Sequence, residues 1–239
     1  MTAISAMPTP FGFIIGADGM RSDTINNSVV TEVAQKIFPI ESKQFSVVFA
    51  WAGATTLVFP GGTSLDLVKA AAQFFGHLES VTFSGFSDVI FQFQTFLRMA
   101  FMTYAKPLPA KYSSLHLGRV LVLAYFEAQP CLAELSVECA ADGTLQPMIA
   151  KVDCPPNSQY IVFSGSEKMY KQFAGNGIHM PDTREKAIAL VRDYIQLCVD
   201  NRSTDPECIG IGGHIHIGLL SSEKFEWVEP PRNESLGGV

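Results

Sequence analysis

Short apolar runs cut by turn residues open the chain, over residues 3–7, 12–17, 36–40 and 45–51, with Pro8, Pro10, Asp18-Gly19 and Pro39 at their edges. Runs of this length and punctuation predict strands. Residues 23–34 are polar and then irregular, which predicts a connection. Thr63 with Asp66 three residues on has the form of a capping box, and Leu65, Val68, Ala72, Phe75 and Leu78 recur at helical spacing behind it. A second helix is predicted over 86–104, where Phe86, Val89, Ile90, Phe93, Phe96, Leu97, Ala100, Phe101 and Tyr104 make one wide stripe. Phe91, Met99 and Met102 fall outside it, so this helix is expected to pack on more than one side.

The pattern then returns to strands at 120–126, 132–139 and 146–152, the last two joined through the hairpin signal Asp142-Gly143. A short apolar run, 160–163, ends in Ser164-Gly165-Ser166. Helical spacing resumes after Glu167. Its main part is predicted to open at Pro181 and Asp182 with Glu185 as capping partner, and it carries Ala187, Leu190, Val191, Tyr194, Leu197 and Cys198 on one face. Strands over 213–220 and 224–228 precede a polar tail, 229–239, that reads as mobile. Strands, two helices, strands, a helix and strands make an α+β order with two sheet-forming halves. One domain over 1–228 is expected.

Composition narrows the classes. Only 17% of residues are charged against 47% hydrophobic, which supports a large core and excludes disorder for most of the chain. The balance of 17 Lys and Arg against 23 Asp and Glu, with no basic cluster, argues against a nucleic-acid partner. Sparse charge also favours a subunit that hides faces in an assembly. No positive charge precedes the first apolar stretch, so an export signal is not supported. Residues 86–104 carry Asp88, Gln92, Gln94 and Arg98, which suits a helix of a soluble protein and no membrane span. Cys131, Cys139, Cys154, Cys198 and Cys208 are odd in number and lack a CxxC pair; free thiols in a reducing cytoplasm are expected.

Several chemical patterns fail. Gly210, Gly212 and Gly213 precede a strand instead of opening a helix, so the phosphate-binding geometry of a dinucleotide loop is missing. His214 and His216 alternate along a strand downstream of Cys208, but no further ligand stands at a fitting spacing, and neither metal nor cofactor is predicted. No GxSxG elbow occurs. Thr2 is different. Removal of Met1 would leave an N-terminal threonine, whose hydroxyl is a nucleophile and whose own amine, with an unperturbed pKa of about 7.7–8.0, is a base on the same residue. Asp18 ends the second strand in GADGMRSD, Lys36 begins another in AQKIFPI, and Gly53 ends a further one in AWAG. Ser164 sits in VFSGSEK, and Asp200 and Ser203 form a D-x-x-S pair after the last helix.

This series resembles the β-type subunits of the proteasome and the related bacterial protease HslV, both N-terminal nucleophile (Ntn) hydrolases, over nearly the whole chain apart from the tail. The resemblance implies a four-layer αββα sandwich of two antiparallel sheets. It also implies a threonine-type peptidase with Thr2 as nucleophile, Lys36 as the cation that favours the alkoxide, Asp18 orienting Lys36, and the Gly53 N–H facing the oxyanion. Ser164, Asp200 and Ser203 would hold the Thr2 amine, and Ser22 and Trp51 would contact substrate, with the indole partly filling a specificity pocket. Self-association into a ring, a peptide or protein substrate, and room for an ATP-dependent unfoldase or an α-type ring follow from the same resemblance. Departures are a longer Asp18–Lys36 interval, Arg21 one position late, and Ala54 in place of a second glycine. A non-catalytic assembly subunit and a small-molecule Ntn amidase are the competing readings.

Overall fold

A computed structural model describes residues 2–22, 28–41, 46–78, 82–103, 108, 114–156, 161–175, 177–178 and 180–232. The elements run β1 (Ile4–Thr9), β2 (Gly12–Ala17), β3 (Arg21–Ser22), β4 (Val29–Thr31), β5 (Ile37–Glu41), β6 (Ser46–Gly53), β7 (Thr56–Val58) and β8 (Ser64–Asp66), then α1 (Leu67–Gly76) and α2 (Phe86–Met102). After these come β9 (His116–Phe126), β10 (Gln129–Cys139), β11 (Leu145–Asp153), β12 (Val162–Ser164), α3 (Glu167–Ala174), α4 (Arg184–Asp200), β13 (His216–Leu220) and β14 (Phe225–Glu229). The chain divides into two compact units, Met1–Ile37 with Pro156–Val239, and Phe38–Pro155. Each contains a five-stranded antiparallel sheet.

In the first unit the strand order is β12-β1-β2-β13-β14. α4 lies on β1 and β2 because Ala187, Val191, Tyr194, Ile195 and Cys198 share one helical face and meet the strand face that carries Ala3, Met7 and Ile14. In the second unit the order is β11-β10-β9-β6-β5. There α1 and α2 bury Phe75, Val89, Ile90, Phe93 and Leu97 with Val47, Phe49, Trp51, Val120 and Val122 of the sheet. Phe75 and Phe93 meet at 4.7 Å between ring centroids, and each buried phenylalanine contributes about 1.5–3 kcal/mol.

Several boundaries differ from the pattern reading. The Thr63–Asp66 spacing is not a capping box, because Ser64–Asp66 pairs with Thr56–Val58 and Asp66 itself is the N-cap of α1, accepting from the Lys69 N–H at 2.8 Å. α4 is capped by Thr183, which accepts from the Lys186 N–H, and not by Asp182 with Glu185. The connection expected over 23–34 contains β4, paired with β3. Tyr104, Tyr160 and residues 233–239 of the expected tail lie outside the described residues. Phe86, Val89, Ile90, Phe93, Leu97 and Phe101 of the α2 stripe are buried, whereas Phe91, Met99 and Met102 are 59%, 66% and 76% exposed, so among the described residues the expected second packing side of this helix is uncovered.

The expectation of five free thiols fails at one pair. Cys131 and Cys154 are joined by a disulfide, because the β10–β11 register, Leu132 opposite Asp153, places them across from one another at the strand ends. Cross-strand pairing of this kind leaves no trace in cysteine spacing. Cys139, Cys198 and Cys208 are free and buried. Among the described residues no helix is long and apolar enough to cross a membrane.

Candidate active site

The first unit gathers its polar groups where β1, β2, β12 and β13 end together. β2 pairs with β1 through Ile4 opposite Ala17, which brings Asp18 alongside Ala3, the residue after Thr2. The contact runs both ways. The Asp18 N–H donates to the Ala3 carbonyl at 3.1 Å, and Asp18 Oδ1 accepts the Ala3 N–H at 2.9 Å. The same Oδ1 accepts from Lys36 Nζ at 2.8 Å. Oδ2 accepts the N–H groups of Met20 at 3.2 Å and Gly212 at 3.0 Å. A fully buried carboxylate is thus satisfied by four donors, the number its two oxygens can take.

Lys36 is 7% exposed, and burial lowers its pKa while the Asp18 charge and hydrogen bond oppose the shift. Its ammonium and the Ala3 N–H share one oxygen, so the cation lies within two hydrogen-bond lengths of the backbone that follows Thr2. Thr2 is 8% exposed. Buried ion pairs of this kind gain little net stability, but removing one partner costs about 3–5 kcal/mol because the other charge is left without compensation.

On the other edge of β1, Ile4 faces Ser164 of β12. Ser164 Oγ reaches the Thr2 carbonyl only at 3.5 Å, and the Ser164 carbonyl accepts from the Tyr194 hydroxyl at 3.2 Å. Gly165 follows with φ +131°, and a Cβ there would stand 3.0 Å from the Tyr194 hydroxyl and 3.5 Å from Ala3 Cβ. A glycine is needed for the chain to pass this close.

The next residue, Ser166, is the one bonded into the structure. Its hydroxyl lies 2.6 Å from Asp205 Oδ2 and 3.0 Å from Glu207 Oε2, and as N-cap of α3 it accepts the Met169 N–H. Cys208 Sγ lies 3.9 Å from Asp205 Oδ2. The Ser166 hydroxyl and the Glu207 N–H hold the Asp205 carboxyl below the usual range. Burial, with the neighbouring Cys198 and Asp205, pushes the Cys208 thiol up to about 12, so it stays protonated at neutral pH.

The expected Asp200 and Ser203 are not part of this cluster. Asp200 ends α4, exposed, with Oδ1 accepting from the Gln196 amide at 2.7 Å, and Ser203 is exposed in the turn beyond. Asp205 and Cys208 repeat the same three-residue interval further along the chain, and both are buried. The D-x-x-S spacing singles out Asp200 and Ser203, whereas the buried pair lies in Asp205-Pro206-Glu207-Cys208, where Asp205 caps the short 3-10 turn over Pro206–Cys208.

Ser22 lies in β3, and its hydroxyl is buried with no hydrogen-bond partner among the described residues. His214 and His216 hold backbone groups. His214 Nε2 lies 2.9 Å from the Pro230 carbonyl oxygen, and His216 Nε2 accepts the Lys36 N–H at 3.2 Å. A cleft of about 550 Å³ in this unit is lined by residues that include Arg192, Arg202, His214 and Arg232, and by none of the expected catalytic or substrate-contact residues.

Gly53 and Trp51 belong to the second unit, at the end of β6. Gly53 has φ +106°, and a Cβ there would come 2.4 Å from the Leu117 carbonyl oxygen, so the position requires glycine. Trp51 is 1% exposed, and its Nε1–H donates to the Ala54 carbonyl at 2.8 Å. It packs with Phe49, Phe75 and Phe93 as part of the core, which replaces the expectation of an indole presented to substrate. Alternation along β6 sends Val47, Phe49 and Trp51 to the helix-covered face.

No protein-family model matches the chain, and no curated protein matches it in sequence. Solved structures match its fold. A Gly-1 mutant of Anbu from Hyphomicrobium sp. strain MC1 is 13% identical with TM-score 0.64, covering 95% of this chain and 85% of that one. Anbu from Yersinia bercovieri, described as an ancestral beta-subunit, is 11% identical with TM-score 0.59, covering 96% of this chain and 88% of that one. Anbu from Pseudomonas aeruginosa, solved as a helical assembly of the Anbu complex, is 12% identical with TM-score 0.61, covering 98% and 88%. The chain therefore shares the fold of these Anbu structures, a mixed α+β arrangement with two five-stranded antiparallel sheets.

Proposed function

We propose that the protein is a threonine-type amide hydrolase of the proteasome-like kind, with Thr2 as nucleophile once Met1 is removed, working as a self-associated assembly subunit. The observation that carries this reading is the double grip of Asp18 Oδ1 on the Ala3 N–H and on Lys36 Nζ. It holds one buried cation next to the first residues of β1.

In this mechanism the Thr2 hydroxyl attacks the amide carbonyl and passes its proton to the Thr2 amine, while Lys36 stabilises the developing alkoxide. The amine then protonates the leaving nitrogen, the acyl group rests on Thr2 Oγ as an ester, and water hydrolyses it. A backbone N–H facing the developing oxyanion would be worth about 2.7–4 kcal/mol per donor. In this reading the amine-orienting role expected of Ser164, Asp200 and Ser203 falls to the buried Ser166–Asp205 pair; Ser166 follows directly on Gly165, the residue that passes against Ala3. Self-association is supported by the exposed Phe91, Met99 and Met102 on α2 and by the assembly formed by the Pseudomonas Anbu.

Intact and native mass spectrometry test the reading together. The expected result is a chain beginning at Thr2, a single oligomer, and stoichiometric mass addition by a threonine-directed electrophile that Thr2→Ala abolishes along with amide hydrolysis. Retained Met1 with full activity, or equal activity in the alanine variant, would falsify it. An oligomer that never adds the electrophile would favour a non-catalytic assembly subunit.

A further inference from the structure

His216 has no part in the chemistry above, yet it touches the residue on which that chemistry depends. β13 pairs with β2 through His216 opposite Ala17, one residue before Asp18. The ring is 1% exposed and packs edge-on against Trp227, with 6.0 Å between centroids. Its Nε2 accepts the Lys36 N–H across 180 residues of chain. A second hydrogen bond ties the ring to the His214 backbone. Lys36 immediately precedes β5, where a buried backbone N–H needs a partner, and the imidazole supplies it.

We propose that His216 is a positioning residue for the Lys36 ammonium: its neutral Nε2 anchors the root of the side chain whose tip Asp18 holds. A lysine side chain has four rotatable bonds, so a grip at the tip alone leaves its root free to shift. Tethering both ends fixes where the charge stands. The role requires an acceptor at Nε2. A protonated ring would present N–H to N–H and set a second cation beside Lys36. The titratable groups facing the ring are Lys36 and His214; burial is the main cause of its lowered pKa, the backbone hydrogen bond to His214 opposes the shift, and the charges of Lys36 and His214 add to it. A neutral ring leaves Lys36 as the cation bonded to Asp18.

The inference concerns Lys36 directly, and its effect on rate rests on the reading of Thr2 as nucleophile, so the test has two arms. His216→Phe keeps a flat ring and removes the acceptor, whereas His216→Gln keeps an acceptor oxygen. In the first arm, hydrogen exchange of the Lys36 amide is measured in the intact protein. It is expected to be at least about tenfold faster in His216→Phe and within about threefold of wild type in His216→Gln. In the second arm, the limiting rate of electrophile addition to Thr2 is expected to fall about tenfold or more in His216→Phe, with half-saturating concentration unchanged and the rate restored in His216→Gln.

Equal amide exchange in all three proteins overturns the tether whatever Thr2 does. Correct exchange with no addition in any of them keeps the tether and sinks the reading of Thr2 as nucleophile. Equal rate loss in both variants overturns positioning in favour of packing. Should His216→Phe fail to fold, nitrogen-15 chemical shifts of the wild-type imidazole decide: an unprotonated Nε2 with a protonated Nδ1 is expected, and the reverse tautomer overturns the proposal.

Discussion

The unit that carries Thr2 and the unit Phe38–Pro155 are built from the same parts, a five-stranded sheet and two main helices, but they fill those parts differently. Among the described residues, Thr2, Ser5, Asp18, Lys36, Ser166, Asp205 and His216 are buried polar groups of the first unit, against Glu134 alone in the second. The second unit buries phenylalanines that stack on one another, with Phe49, Phe75 and Phe93 in a continuous cluster. Apolar packing needs no partners of fixed direction. A buried carboxylate, ammonium or imidazole does, and each costs free energy unless every hydrogen bond is made. The second unit shows that this sheet-and-helix arrangement can be filled with a single such group among the described residues, Glu134, whose carboxylate faces Arg119 at 3.8 Å. Their concentration in the first is the physical sign of a site.

The largest effects expected from this contrast are losses of stability with different consequences for chemistry. Asp18→Ala leaves Lys36 buried without its counter-charge and three backbone N–H groups without an acceptor, and should cost about 3–5 kcal/mol in denaturant unfolding. Phe93→Ala should cost a similar amount, about 3–5 kcal/mol, through the cavity it opens. Folded Phe93→Ala protein should still add electrophile at Thr2 at close to the wild-type rate, whereas folded Asp18→Ala should not. Equal chemistry in the two variants would break the distinction between the units.

A smaller effect depends on pH. Burial lowers the His216 pKa from 6.5 to about 4. Between those values the unfolded chain binds the proton and the folded chain does not, so the stability from this ring is full above pH 6.5 and is lost as pH falls toward 4. The loss is about 3 kcal/mol over that window. His216→Phe should lack this part of the acid slope, and identical slopes in the two proteins would remove His216 as its cause. The smallest effect separates two neighbours. Ser166→Ala removes the cap of α3 and the Asp205 contact, and should cost about 0.5–2 kcal/mol. Ser164→Ala should stay within about 0.5 kcal/mol, since its hydroxyl makes only the long contact to the Thr2 carbonyl.

The residues that pair within a few positions of one another, or that mark a strand end, were legible in the sequence. Asp18 and Lys36 could be placed at the end of one strand and the start of another from turn punctuation and apolar runs, and the α2 stripe from its period. Gly53 could be placed at a strand end, though its need for a positive φ could not. Misreadings arose where a local pattern had two physical solutions. Thr63–Asp66 looks like a cap, but pairing with Thr56–Val58 makes it a strand. Trp51 lies two residues before Gly53, the glycine expected at the oxyanion, but strand alternation turns its ring into the helix-covered core. Asp200 and Ser203 match a spacing, and the same spacing recurs at Asp205 and Cys208, which unlike the first pair are buried, with Asp205 bonded to the Ser166 hydroxyl.

By itself, then, the sequence determined the α+β order and the apolar stripe of α2, because periodicity and strand punctuation are properties of neighbouring residues, whereas Thr2, Asp18 and Lys36 became a candidate trio only through the family resemblance. Only the tertiary structure decided that Asp18 takes four donors, that Ser166 bonds Asp205, that Cys131 meets Cys154, and that His216 holds the Lys36 backbone. Each of these joins residues distant along the chain through strand register. Register is set by the burial of whole strand faces, which no single residue or spacing encodes.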